Sequence, residues 1–282
     1  MKKESHAQLA RELFAASDPY LDCCCPLLIP DENGRPRFFG SGTLVSIGDR
    51  YFLITAAHVL DEAATEVLYL PSQAELVELR GPASKTNAPA QGGRLEDKVD
   101  SSFVLIDSEN AAKLKQLFRF LPMDLVDNSD SIAPGKVYRF CGFAWKFQQT
   151  NHVAQNLKSQ RYTFLSDPLI GTRYAKWGFA EAFHIVARFS KDNVWDEQGR
   201  RVHSPDPHAM SGGPIFGIAA TPGGFCVRLA GINIEFLESD RILAGVRITG
   251  VLERIRRAYP ELSALVPMST TIEIVHQEGS VS

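Results

Sequence analysis

Three short segments of the chain carry residue types that could act together on a substrate. Leu53-Ile54-Thr55-Ala56-Ala57-His58 delivers a histidine from an apolar strand into a turn of small residues. Lys98-Val99-Asp100-Ser101-Ser102-Phe103-Val104-Leu105 sets an acid at the mouth of another strand. Ala209-Met210-Ser211-Gly212-Gly213-Pro214 holds a serine in a glycine-rich bend. A serine hydroxyl is a weak nucleophile at neutral pH until a neighbouring base takes its proton. Histidine suits that task because its pKa lies near working pH. A buried acid fixes the imidazole tautomer and stabilises the imidazolium, and backbone N–H groups in a glycine-rich bend can be aimed at the developing oxyanion. Each segment also has a plainer reading. His58 could be a hydrogen-bonded core histidine, Asp97 competes with Asp100, and Ser-Gly-Gly-Pro is good turn chemistry by itself.

The elements that must position these residues are mostly short strands. Residues 4–16 have helical spacing, with Leu9, Leu13 and Phe14 on one face. After Asp18-Pro19, β-branched and aromatic runs recur at 24–29, 37–47, 51–55, 66–70, 75–79 and 102–106. Asp31-Glu32-Asn33-Gly34 and Gly48-Asp49 mark hairpin turns. Residues 81–97 read as a long surface loop, and 107–121 as a helix with Leu114, Leu117, Phe118 and Leu121 on one face. Turn residues at 122–135 mark a domain boundary. Further strands are expected at 137–143, 162–165, 182–189, 215–219, 225–233 and 243–248, and a last helix at 250–258. Two successive sets of strands suggest two all-β barrels or sandwiches. The expected division is a helical extension at 1–21, a first unit at 22–121, a second at 122–258 and a polar tail at 259–282.

Composition narrows the class. The 282 residues are 44% hydrophobic and 22% charged, with a formal net charge of −3. Disordered, fibrous and coiled-coil readings do not fit. No apolar stretch nears the roughly 20 residues that span a bilayer, so no membrane partner is expected. The charge balance gives no pull toward phosphate backbones, and Arg254-Ile255-Arg256-Arg257 reads as the polar face of a helix, so no nucleic-acid partner is expected. Met1-Lys2-Lys3 leads into Glu4, Ser5 and His6 with no apolar export core. There are five cysteines, three of them adjacent as Cys23-Cys24-Cys25, where neighbours rarely have disulfide geometry. A lipidation or metal site there is the alternative to burial. Cys141 and Cys226 read as buried thiols, and a cytoplasmic location is expected.

Gly40-Ser41-Gly42-Thr43-Leu44-Val45, Thr55-Ala56-Ala57-His58, Asp100 before a strand and Ser211-Gly212-Gly213-Pro214, in that order, resemble the trypsin/chymotrypsin-like serine peptidases. The likeness covers roughly residues 22–252 and is closest to bacterial members without disulfides. It implies an all-β chymotrypsin-like fold of two antiparallel six-stranded β-barrels with short N-terminal, interdomain and C-terminal helices. It also implies His58 as general base, Asp100 as orienting acid, Ser211 as acylated nucleophile, and the Ala209 and Ser211 N–H groups as oxyanion hole. Asn233, Ile234 and Glu235 look like the strand that flanks the first specificity pocket and pairs with substrate backbone. No cofactor or metal is implied.

The chain departs from the family at several points. Ala209 stands where most relatives carry glycine, and its Cβ could turn the N–H away. Met210 replaces the acid used in activation of digestive relatives. Ser204-Pro205-Asp206-Pro207-His208 falls where pocket-floor residues are expected, with Asp206 a candidate for favouring Lys or Arg. His203 and His208 read as loop histidines, and His184 as a packed strand residue. An α/β-hydrolase could be assembled from Ser211, Asp240 and His276, but Gly212-Gly213-Pro214 is hostile to the helix that must follow its serine. The expected activity is a serine endopeptidase acting on polypeptides, restricted by narrow substrate choice or a regulatory protein partner, with 4–16 or 81–97 as control elements. A setting in bacterial regulation or anti-phage defence is an analogy at fold level. The alternative is an inactive relative used as a protein-binding module.

Overall fold

A computed structural model describes residues 2–63, 67–128, 135–143, 161–192, 194–204 and 206–266. The chain opens with helix α1 (Lys2–Ser17) and a 3-10 turn (Asp18–Cys23). Strands β1 (Cys24–Pro30), β2 (Pro36–Ile47) and β3 (Arg50–Thr55) follow as hairpins. The first hairpin turns where expected: the Asp31 carboxylate accepts from the N–H groups of Asn33 and Arg35, both at 2.8 Å, and Gly34 takes φ 73. Helix α2 (Ala57–Glu62), strands β4 (Tyr69–Pro71), β5 (Leu76–Glu78), β6 (Ala83–Lys85) and β7 (Ser102–Ile106), helix α3 (Ser108–Leu114) and strand β8 (Leu121–Pro122) complete the first half. The sheet order is β5-β4-β1-β2-β3-β7-β6, and β8 pairs parallel with β2. This sheet therefore has eight strands rather than six.

The second half holds β9 (Val137–Gly142), β10 (Tyr162–Ser166), β11 (His184–Arg188), the small ribbon β12 (Val194–Trp195) and β13 (Arg201–Val202), then β14 (Pro214–Thr221), β15 (Gly224–Leu237), β16 (Ile242–Arg247) and helix α4 (Ile248–Ala258). Six of these strands form one antiparallel sheet in the order β10-β9-β14-β15-β16-β11. The chain is all-β with two curled sheets and a few short helices, consistent with a chymotrypsin-like double barrel. Apolar side chains of both sheets meet in one continuous core that includes Phe52, Phe103, Phe216 and Ile232. Each such side chain, taken fully out of water, contributes roughly 1.5–3 kcal/mol. Among the described residues no helix is long and apolar enough to cross a membrane.

Two expectations about single elements also needed correction. The helix expected at 107–121 ends at Leu114, because Leu121 is drawn into the first sheet beside Val45 while Leu117 stays 47% exposed. The loop expected at 81–97 contains strand β6 and a 3-10 turn (Gly93–Glu96). The strand is a polar edge with no apolar alternation to announce it. His276 and most of the expected polar tail lie outside the described residues.

Candidate active site

Strand β3 delivers His58 into the first turn of α2, and Asp100 closes on it from the loop before β7. One Asp100 oxygen accepts the backbone N–H of His58 at 2.9 Å, and the other meets its Nδ1 at 2.5 Å. Because a carboxylate only accepts, Nδ1 carries the proton and Nε2 keeps the lone pair that a base needs. Asp100 is buried, and His58 is partly open to the cleft. Burial pulls the His58 pKa down, but the hydrogen bond and charge of Asp100, aided by Glu62 and opposed by Arg94, hold it above its ordinary 6.5. The end of β3 is fixed by Ser102, whose hydroxyl lies 3.1 Å from the Thr55 carbonyl and 3.2 Å from that of Ala56. Asp97, the competing acid, is engaged elsewhere, by Arg94 and by the Thr86 hydroxyl, both at 2.5 Å.

The serine loop is held by its carbonyls. Ser41 donates through its hydroxyl to Ala209 O at 2.9 Å and through its N–H to Ser211 O at 3.0 Å. The Thr43 hydroxyl donates to Gly212 O at 2.9 Å, the Gly213 N–H to Met210 O at 2.9 Å, and Asn233 to Gly213 O through its backbone N–H at 2.8 Å. Every carbonyl from 209 to 213 is thus occupied. The N–H groups do not follow suit. Those of Met210, Gly212 and Gly213 donate inside the protein, whereas those of Ala209 and Ser211 have no acceptor among the described residues. Ala209 reaches this arrangement at φ 70, a left-handed conformation that costs a residue with a Cβ about 1–2 kcal/mol. Gly212 is needed as glycine: it takes φ +86, and a Cβ would stand 2.1 Å from both Ser41 O and the Thr55 hydroxyl.

His58, Asp100, Ala209 and Ser211 line one cleft of about 670 Å³, with Asn233, Ile234 and Glu235 on its second-barrel side. Ser211 and His58 share no hydrogen bond among the described residues; the Ser211 hydroxyl lies 3.4 Å from Ile234 O. Catalytic hydrogen bonds of unliganded enzymes are often long and tighten on substrate binding. Strand β15 outruns β14, whose last partner on that side is Ile232 opposite Pro214. Beyond Asn233, then, β15 offers a sheet edge that β14 does not cover.

The remaining residues singled out in the sequence have varied surroundings. The Asn233 side chain is buried scaffold, its amide nitrogen donating to Cys141 O at 2.9 Å and Gly213 O at 3.0 Å. Glu235 pairs with Lys98 at 3.2 Å. Asp206 pairs with Lys191 and is not among the residues lining the cleft. His203 meets Asp192 at 2.9 Å, and His208 lies edge-on to Phe236. Cys23, Cys24, Cys25 and Cys141 are buried and free, whereas Cys226 is only half-buried. The described residues contain no group of three or more His, Cys, Asp or Glu side chains that could hold a metal. The sequence reading missed Phe236 and Leu243 as cleft residues. Their places, Phe236 two positions further along β15 and Leu243 opposite it on β16, give no local signal. A larger recess of about 900 Å³ beside Asp22, Arg161 and Glu197 has none of the three candidate residues in its lining.

No protein-family model and no curated protein sequence matches the chain. Among solved structures it is similar to the MamO protease domain from Magnetospirillum magneticum, at 13% identity and a TM-score of 0.43, covering 83% of this chain and 96% of that one. It is also similar to a chain from work on coupled folding and binding of the intrinsically disordered Sesbania mosaic virus VPg protein. There the identity is 15% and the TM-score 0.42, with 80% and 87% of the two chains covered.

Proposed function

We propose that the chain is a serine endopeptidase that cleaves polypeptides through an acyl-enzyme at Ser211. One observation carries the reading: the Asp100-bound imidazole, the Ser211 hydroxyl and the two unclaimed N–H groups of Ala209 and Ser211 share one cleft. Nε2 of His58 takes the Ser211 proton as the hydroxyl attacks the peptide carbonyl. The tetrahedral oxyanion accepts from the Ala209 and Ser211 N–H groups, donors that need no reorganisation when the charge appears. His58 then gives its proton to the leaving amine, and a water, deprotonated by the same nitrogen, releases the acyl group. The substrate lies extended along β15 beyond Asn233 and adds to the sheet there.

The preferred residue at the cut is uncharged and apolar. Met210, Ile234, Phe236 and Leu243 line the cleft with Ser211, Glu235 in the same lining pairs with Lys98, and the Asp206 carboxylate is engaged by Lys191. We place the protein in a reducing compartment, where its five thiols stay free, and take its activity to be restricted by substrate choice or a partner. A denatured protein mixture incubated with wild-type chain should gain new N-termini that follow apolar residues, and none with Ser211→Ala. Cuts after Lys or Arg would overturn the pocket assignment.

A second reading, an inactive fold used as a protein-binding module, is favoured by the Ser211 hydroxyl lying against Ile234 O instead of His58. It predicts no new termini from either protein, together with capture of an extended peptide on β15.

A further inference from the structure

The segment that supplies Asp100 belongs to the first half of the chain, yet the second half holds it on both sides. Within the first half, Thr86 N–H donates to Ser101 O at 3.0 Å, and the Thr86 hydroxyl is 3.3 Å from Ser101 N. From the second half, His184 on β11 meets Lys98 O through Nε2 at 2.7 Å. Arg254 on α4 donates to Ser101 O at 2.7 Å and to the Ser101 hydroxyl at 3.0 Å. Lys98 and Ser101 flank Asp100, so these two side chains pin the backbone just before and just after the acid.

The partners of His184 fix its tautomer. The Lys98 carbonyl only accepts, so Nε2 carries a proton toward it at 2.7 Å, while Nδ1 lies 3.0 Å from Ala180 N and 2.9 Å from Ala180 O. Burial, with the charges of Arg247 and Lys98, pulls its pKa below the ordinary value against the two backbone hydrogen bonds, so the ring is neutral at pH 7. Arg254 is equally specific in its placement: the guanidinium lies 5.6 Å over the Phe103 ring and reaches the Ser84 hydroxyl at 3.2 Å. The arginine run that reads as a solvated face is therefore divided in use, with Arg256 and Arg257 pairing with Glu253 on their own helix while Arg254 crosses to the other sheet.

We propose that His184 and Arg254 are positioning residues for Asp100, making the acid's bidentate grip on His58 depend on contact between the two barrels. The inference rests on reading His58, Asp100 and Ser211 as a catalytic set. Asp100 must meet two atoms of His58 at once, at 2.9 and 2.5 Å, so a small drift of its loop breaks at least one bond. Misplacement on the scale of 1 Å in a catalytic array costs up to about a hundredfold in rate.

The test compares His184→Ala, which removes the donor to Lys98 O, with His184→Gln, whose amide can restore it, and Arg254→Met with Arg254→Lys. The first readout is the pH profile of Ser211 labelling by a fluorophosphonate; the second is the NMR titration of His58. The groups facing His58 are Asp100, Glu62 and Arg94, and those facing His184 are Lys98 and Arg247. His184→Ala should label roughly ten- to hundredfold more slowly, with the His58 midpoint moved down as Asp100 loosens. His184→Gln should recover most of both. Arg254→Met should act in the same direction, and it carries the test if His184→Ala fails to fold. Wild-type labelling with an unchanged rate and midpoint in His184→Ala and Arg254→Met would overturn the inference. If the wild type does not label at all, the catalytic reading fails instead. The NMR midpoint still decides the positioning claim: an unmoved His58 in the variants contradicts it.

Discussion

At the scale of single residues, the His58–Asp100 pair sets how the site should respond to pH. The folded pKa of His58 is raised, so the folded state holds this proton more tightly than the unfolded chain does. By linkage, the pair contributes stability below the unfolded value near 6.5, and that contribution fades as pH rises through the folded value. On the proposed mechanism activity has the opposite slope, because the base must be neutral. Ser211 labelling should therefore rise with pH along a limb whose midpoint lies above 6.5. Asp100→Asn should lower the rate by about 10³–10⁴-fold, move the midpoint down and remove the pair's share of the stability change. A midpoint unmoved in Asp100→Asn would mean that Asp100 does not control the imidazole. His58, Asp100 and Ser211 were legible in the sequence because each sits beside a short local motif. The φ of 70 at Ala209 was signalled only by its standing at a glycine position of the family, whereas the bonds that hold the loop, from Ser41 to Ala209 O and from Thr43 to Gly212 O, come from residues distant in the chain and left no trace.

Secondary elements act mainly by fixing carbonyls. Strand β2 contributes Ser41 and Thr43, which anchor three of the five carbonyls of the serine loop. Thr43→Val keeps the shape of the side chain and removes the donor, leaving Gly212 O short of a partner in a buried setting. An unsatisfied buried acceptor costs about 1–3 kcal/mol, so the urea midpoint should fall accordingly and labelling should slow as the loop loosens. Unchanged stability and rate would show that the bond is dispensable. Strands with strong apolar or β-branched runs, such as β3, β7 and β16, were read nearly to the residue. The failures share a cause. The run from 107 to 121 has helical spacing, but Leu121 gains more by pairing in the sheet, and β6 is a polar edge strand stabilised by β7 rather than by its own pattern.

On the scale of the whole molecule, each half positions what the other contributes. Ser41 and Thr43 of the first sheet hold the serine loop of the second half, and His184 and Arg254 of the second half hold the loop of Asp100. Partners 86 to 169 residues apart leave no local pattern, so this layer was invisible in the sequence even where the candidate residues stood out. The same holds for helix α1. Arg139, fully buried on β9, donates to Phe14 O at 3.1 Å and to the Ser17 hydroxyl and the Asp18 carboxylate, both at 2.7 Å. Its guanidinium also lies 4.6 Å over the Phe14 ring. The N-terminal helix is thus latched into the second sheet, which counts against a detachable control element. Deleting residues 1–18 removes three of the polar partners of Arg139 and leaves, among the described residues, only Thr163 at 3.0 Å and Glu197 at 3.9 Å, and breaking a buried ion pair costs on the order of 3–5 kcal/mol. The truncated chain should unfold at much lower urea or fail to accumulate. Retention of the full-length midpoint would show that the helix is an appendage.

The central claim is that a serine, activated by an aspartate-held histidine, forms a covalent acyl bond. Fluorophosphonate labelling at pH 8, read by intact mass and peptide mapping, tests it most directly. The account predicts one adduct per chain, on the peptide containing Ser211, absent in Ser211→Ala and strongly reduced in His58→Ala. Wild-type protein that stays unmodified, or an adduct that persists in Ser211→Ala, would contradict it.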